Sequence, residues 1–256
     1  MKKTALITAA LLMGGLFCTA QAHAHYPWIN ADNYTPRTGE TPHITIGWGH
    51  RYPLGKFLST GDLEEIFIIA PDHGKTPLTP LSGLEFEPEN TLAAPGPYLV
   101  AGQRRDGFYT KTTQGGKRRS KKGLDNVISC SLPHMSMKAV INAGDRPGKA
   151  DAVAGHPLEI VPLADPSTLR AGDYLPLRLL LHGKPYSGRI FATPMGFSTD
   201  KDVFAYTGKT DRQGLGRIRI LQPGVWLIKA EHQQPYPDPK VCDVESYIAT
   251  LTLEVK

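Results

Sequence analysis

Nine histidines stand in this 256-residue chain, and eight of them lie at or after His25. A neutral imidazole ligates late transition metals, so the first question is which histidines share a setting suited to that chemistry. Three do. His25 opens His25-Tyr26-Pro27-Trp28, a stiff aromatic segment that would hold a chain terminus against a fold rather than let it fray. His50 sits in Gly47-Trp48-Gly49-His50-Arg51-Tyr52-Pro53, where glycines permit a sharp turn at a strand end and aromatics shield the ring. His232 follows Trp226-Leu227-Ile228-Lys229-Ala230-Glu231, where a strand is expected to run out into Pro235-Tyr236-Pro237-Asp238-Pro239. Brought together, three imidazoles would take a borderline ion such as Ni, Co, Cu or Zn. His43, His73, His156 and His182 lie in turn-like or polar stretches and are read as ordinary surface residues.

The residues before His25 give it a second kind of donor. Lys2 and Lys3, an apolar run from Ala5 to Phe17 and the small residues of Ala20-Gln21-Ala22-His23-Ala24 have the order of a cleavable secretory signal peptide. The run is shorter than the roughly 20 residues that a helix needs to cross a bilayer, and Phe17 before Cys18 is too bulky for a lipidation signal. The expected location is therefore periplasmic. Cleavage fits after Ala22 or after Ala24. The first leaves His23-Ala24-His25, whose amine, backbone amides and imidazole suit square-planar Cu(II) or Ni(II). The second makes His25 the first residue, so that its own amine and ring chelate one ion and recruit another histidine.

Cys130 and Cys242 are the two cysteines beyond the signal segment, and an even pair in an oxidising compartment points to one disulfide. The alternative is two separate thiols. In that case Cys130-Ser131-Leu132-Pro133-His134-Met135-Ser136-Met137 is a soft-ligand cluster for Cu(I), with His134 as a secondary metal candidate alongside His23. Strand alternation places Cys130 and His134 on one face and Met135 and Met137 on the other, which favours core packing and the disulfide.

No recognised enzyme motif accompanies these residues. There is no G-x-S-x-G elbow, phosphate loop, H-E-x-x-H helix or C-x-x-C pair, and Asp62, Glu64 and Glu65 merely flank a strand start, so a non-enzymatic role is expected. The formal charge of +5 falls to 5 − 2 = +3 once Lys2 and Lys3 are removed. The basic run Lys117-Arg118-Arg119-Ser120-Lys121-Lys122 has no interleaved aromatics and reads as a solvated loop, so no nucleic-acid partner is expected. Prolines, glycines and charges interrupt every later apolar stretch, so no stable membrane insertion is expected either.

The elements that must position these histidines are strands. Helical periodicity is scarce, turn residues are dense, and the periodic segments alternate with period two. Strands are expected at residues 43–48, 65–70, 137–142, 175–181, 189–193, 203–208, 216–221, 225–231 and 247–255. In the last, Tyr247, Ala249, Leu251, Leu253 and Val255 share one face and Thr250, Thr252 and Glu254 the other. A non-periodic stretch from Gly144 to Gly155 precedes a fresh strand at Pro157 to Pro162. The expected architecture is all-β, with two β-sandwich domains at residues 25–154 and 155–256 after the signal segment 1–24.

The ordered set of these pieces resembles the periplasmic DUF4198 family, described as nickel-uptake or cobalt-transport components. The matching stretches are Ala24-His25-Tyr26-Pro27-Trp28, Gly47 to Pro53, Leu158 to Leu163, Gly183-Lys184-Pro185, Thr210 to Gly214, Gly224 to Ile228, Glu231-His232 and Ala249 to Leu253. The resemblance implies an immunoglobulin-like or transthyretin-like second domain and a role in transition-metal import beside membrane transporter components. It also places the mature histidine directly before the aromatic segment, which favours cleavage after Ala24. The family pattern often has an acidic residue just after that histidine, where this chain has Tyr26 and Pro27. The leading expectation is a protein that binds Ni or Co, with Cu or Zn as further possibilities, through His25, His50 and His232, and releases it as pH falls toward about 6. Two other readings stand beside it. One is a copper-dependent redox enzyme built on the amino-terminal histidine; the other is a structural or adhesive sandwich module without metal.

Overall fold

A computed structural model describes residues 25–83 and 85–256. The signal segment and His23 lie outside the described residues. The fold is all-β, as the period-two patterning requires, and among the described residues the only helical turns are two short 3-10 segments at Thr60–Asp62 and Pro166–Thr168. In the first part of the chain the strands are β1 Tyr26–Ala31, β2 Ile44–Gly49, β3 Lys56–Phe57, β4 Leu63–Ile69, β5 Lys75–Pro80, β6 Glu85–Pro88, β7 Gly96–Arg104, β8 Tyr109–Thr112, β9 Gly115–Lys117 and β10 Val127–Ala143. After the non-periodic stretch come β11 Leu158–Pro162, β12 Tyr174–Leu181, β13 Lys184–Pro185, β14 Arg189–Pro194, β15 Tyr206–Lys209, β16 Leu215–Arg219, β17 Gly224–Pro235 and β18 Val244–Val255. Among the described residues no helix is long and apolar enough to cross a membrane.

The larger sheet runs β1-β2-β6-β5-β4-β7-β10-β18-β17-β14-β15, and the smaller one runs β11-β12-β13 with β16 beside β12. Its central junction is parallel: β10 and β18 pair from Ser131 opposite Val244 to Ala139 opposite Thr252. These strands come from either side of residues 144–155, so the two parts of the chain share one sheet. One hydrophobic core likewise joins Phe67, Leu99 and Val140 to Leu177, Trp226 and Leu251. A second gathers Ile29, Ile44, Ile46, Phe86, Met137 and Ile141.

Cys130 and Cys242 form a disulfide that ties the start of β10 to the turn before β18. That leaves no thiolate for a soft Cu(I) site, and Met135 and Met137 are buried in hydrophobic cores. Between the sheets lies a charged pair that apolar patterning hides. Lys138 in β10 and Glu159 in β11 are both about 2 % exposed, and Lys138 Nζ donates to Glu159 Oε1 at 2.9 Å. The carboxylate also accepts from the backbone N–H groups of Ala154, Gly155 and His156. Burial alone would raise the Glu159 pKa, but Lys138 and these donors hold it below its ordinary value. His156, expected on the surface, is instead 3 % exposed, and neither ring nitrogen has a hydrogen-bond partner among the described residues.

Candidate functional site

The site begins with the way β1 is held. It pairs antiparallel with β2, Tyr26 opposite Gly49 and Pro27 opposite Trp48. Pro27 has no N–H to give, so it takes a non-hydrogen-bonded position, and its carbonyl and that of Ile29 point away from β2. Two buried threonines of β18 meet them: Thr250 Oγ1 donates to Pro27 O at 2.8 Å and Thr252 Oγ1 to Ile29 O at 2.7 Å. The polar face of β18 therefore fixes β1 in place. Trp28 is fully buried, and its ring lies where side chains at Gly47 and Gly55 would stand; a Cβ at Gly47 would come within 2.2 Å of the indole. Gly47 is thus required for close approach rather than for a turn.

Continuing that register one step past Tyr26 and Gly49 sets His25 opposite His50. Their ring centroids are 4.2 Å apart with an interplanar angle of 50°, and His25 also stacks on Trp48 at 5.6 Å. The Tyr26 ring meets His50 edge-on at 6.3 Å and packs against Phe204 at 6.4 Å. His50 is gripped from the loop between β14 and β15: Asp202 N donates to His50 O at 2.9 Å, and His50 Nδ1 lies 3.1 Å from Asp202 Oδ2. Asp202 makes both contacts from a left-handed backbone, φ 56°. With Nδ1–H donated to the carboxylate, Nε2 of His50 keeps its lone pair for a ligand.

Electrostatics sharpen the pair. Burial first, then His50, Lys201 and Lys56, lower the His25 pKa against a smaller opposing pull from Asp202, so this ring is neutral at pH 7. Burial, with Asp202 and Glu231 adding, raises the Tyr26 phenol above its ordinary range and keeps it un-ionised. Lys229, buried in β17, bonds Glu231 at 2.9 Å and lies 4.9 Å from the Tyr26 ring centroid. Among the described residues no group of three or more His, Cys, Asp or Glu is arranged to hold a metal ion. The side chains here offer two imidazoles, and a third donor must come from elsewhere.

His232 does not supply it. The expected strand end at Glu231 is not an end: β17 continues to Pro235, paired with Val244 of β18, so alternation decides where His232 points. Lys229 and Glu231 share the side of Tyr26, whereas His232 shares the side of Trp226, Ile228 and Ala230, which line the other core. There its Nδ1 is hydrogen-bonded with Tyr186 Oη at 2.7 Å, and its Nε2 lies 3.4 Å from Gln234 Oε1. His134 lies in the same row, since Tyr247 of β18 is opposite both residues and both rings stack on it, at 4.8 and 5.7 Å. His182 meets the Tyr247 ring edge-on at 5.3 Å. The Asp106 carboxylate, 2.6 Å from His134 Nδ1, raises the pKa of that imidazole despite burial. The structure therefore brings His25 and His50 together and places His232 and His134 in a separate stack. Asp202, the third residue of the first group, lies 152 positions from His50 and carries no sequence signal.

The profile of the family described as "Domain of unknown function (DUF4198)" matches residues 22–234. The chain belongs to the DUF4198 family. No curated protein matches the sequence of this DUF4198 member. Among solved structures it is similar to Salmonella alpha-2-macroglobulin reacted with methylamine, at 10 % identity and a TM-score of 0.27, over 91 % of this chain and 15 % of that one. The Y1175G mutant of the same protein gives 10 % identity and a TM-score of 0.26, over 90 % and 15 % of the two chains. The DUF4198 chain thus spans about 15 % of the length of these structures.

Proposed function

We propose that this DUF4198 chain is a periplasmic, non-enzymatic binding protein for a divalent late transition-metal ion, nickel or cobalt, which it passes to a membrane metal-uptake transporter. The observation that carries the reading is the opposed pair His25 and His50, with centroids 4.2 Å apart and His50 oriented by Asp202. Two imidazoles are an incomplete site, and cleavage between Ala24 and His25 would add the missing donor as the α-amine of His25. Amine and ring of one residue then form a chelate, and His50 Nε2 closes a three-nitrogen set. In this reading His232 is not a ligand. On the same reading the chain has two β-sandwich units divided near residue 155 that share the larger sheet, the first contributing His25 and His50 and the second Asp202.

Isothermal titration of protein beginning at His25 with Ni(II) or Co(II) tests the proposal. Binding tighter than millimolar is expected, lost on His50→Ala and on adding one glycine before His25. Absence of binding, or binding indifferent to both changes, would sink it. The same three nitrogens suit Cu(II), and peroxide release by copper-loaded protein with a reductant would mark a redox enzyme instead of a carrier.

A further inference from the structure

Two loops meet at the His50–Asp202 contact, and both display apolar side chains to solvent. The first, residues 51–57, is pinned. Tyr52 is buried against Trp28, their rings 5.7 Å apart and edge-on, and Gly55 is so close to Trp28 and to Trp48 O that a Cβ there would lie within 2.7 Å of both. Leu58, just beyond, is also buried. Between these inward anchors Leu54 and Phe57 point out, 56 % and 54 % exposed. The second loop, residues 195–203, is anchored by Asp202 on His50 and by Phe204, whose ring packs on Tyr26 and Phe191. It exposes Met195, Phe197 and Val203. Such exposure on tethered loops is not fraying, and the two loops carry five of the large exposed apolar residues among the described ones.

The charges on the same loops have a sign. Arg51, Lys56 and Lys201 are exposed, against Asp200 alone, because Asp202 is engaged by His50. The basic residues are interleaved with the apolar ones rather than set around them: Lys56 lies between Leu54 and Phe57, and Lys201 stands two residues before Val203. The core of a protein–protein interface is depleted of lysine, whereas the boundary between phosphate headgroups and acyl chains accepts apolar tips and ammonium groups side by side. We propose that these two loops dock the protein peripherally on an anionic phospholipid surface, with Leu54, Phe57 and Phe197 entering the headgroup boundary and Arg51, Lys56 and Lys201 pairing with phosphates. Only side-chain tips of the loops and of the short β3 enter; no strand or helix crosses the bilayer. The inference stands apart from the metal reading, since it uses neither histidine as a ligand.

Co-sedimentation with vesicles of phosphatidylethanolamine and phosphatidylglycerol in a three-to-one ratio, with EDTA present, tests it. Binding is expected, weakened by salt and absent on pure phosphatidylcholine. Each lysine near the surface contributes about fivefold, so Lys56→Ala with Lys201→Ala should weaken binding about 25-fold. Leu54→Ser with Phe57→Ser should weaken it by about tenfold or more, because the loop tips lose their apolar area. Both double variants change exposed side chains, and an unaltered near-ultraviolet circular dichroism spectrum verifies that they fold. A triple change in the other basic segment, Lys117→Ala, Arg118→Ala and Arg119→Ala, should matter less than the lysine pair. Three results overturn the inference: no binding to the anionic vesicles, a larger loss with the triple variant, or self-association without lipid that Phe57→Ser abolishes. The last would mean that a second copy covers this face.

Discussion

Acid should destabilise this protein in two separable pH windows, and His156 governs the first. Its ring is buried with both nitrogens unpartnered among the described residues, and burial, with smaller contributions from Lys138 and Lys75, pushes its pKa down from 6.5 to about 4 despite the attraction of Glu159. In the unfolded chain the imidazole takes up its proton near the ordinary value; in the folded protein it stays neutral until about pH 4. Between those limits the unfolded state binds more protons, so stability falls as pH falls. A depression from 6.5 to about 4, at about 1.4 kcal/mol for each pH unit, makes this loss about 3 kcal/mol when complete. Glu159 acts in a different window. Its folded pKa is depressed, so its contribution is present above its ordinary value of 4.5 and disappears only as pH falls below that. Urea denaturation at intervals from pH 7 to pH 4.5, followed by tryptophan fluorescence, isolates the histidine. Wild-type protein should lose most of the 3 kcal/mol across this range, and His156→Leu should remove that slope while leaving stability at pH 7 equal or improved, because an unsatisfied polar ring is exchanged for an apolar side chain. An unchanged slope in His156→Leu, or a flat wild-type profile, would refute the assignment.

Three further outcomes follow from the same geometry. Lys138→Met should cost about 3–5 kcal/mol at pH 7 by leaving the Glu159 carboxylate without its counter-charge, whereas Lys138→Met with Glu159→Gln should cost much less; equilibrium denaturation of the cycle reads the difference. Replacing Cys130 and Cys242 together by serine frees a loop with a sequence separation of 112, and the chain-entropy relation gives a loss of about 4–5 kcal/mol, measured by urea midpoint without reductant. Asp202→Asn should weaken metal binding by roughly 10–100-fold through loss of His50 orientation, read by competition with a chromogenic chelator, without abolishing it.

Much of the frame was legible because burial on one face leaves a period of two in the sequence. β2, β12 and β14 follow the alternating runs closely, β4 follows the more fully buried run at 65–70, and β18 also shows in advance the threonine face that holds β1. β7, Gly96–Arg104, escaped notice because it is buried on both faces over most of its length and so has no alternation to read. The parallel union of β10 with β18 depends on residues more than a hundred positions apart, which no local pattern encodes. His25 and His50 were visible as a histidine beside aromatics and a histidine after glycines. His232 failed as their partner because its strand runs four residues beyond the expected end at Glu231, and alternation then turns its ring to the far face. Lys138 falls inside the expected strand 137–142, but neither Glu159 as its mate nor His156 as their buried neighbour had any local mark.

The threonine contacts between β18 and β1 also join the two ends of the chain. Thr250 and Thr252 lie 223 residues beyond the carbonyls they meet, so the first described strand is held in part by the last one. His25 takes its position from β1. The pairing of His25 with His50 comes from the local β1–β2 register, but the seat of that pair on the rest of the sheet depends on β18. A change that loosens β18 should therefore reach the pair through Thr250 and Thr252, although neither threonine touches an imidazole.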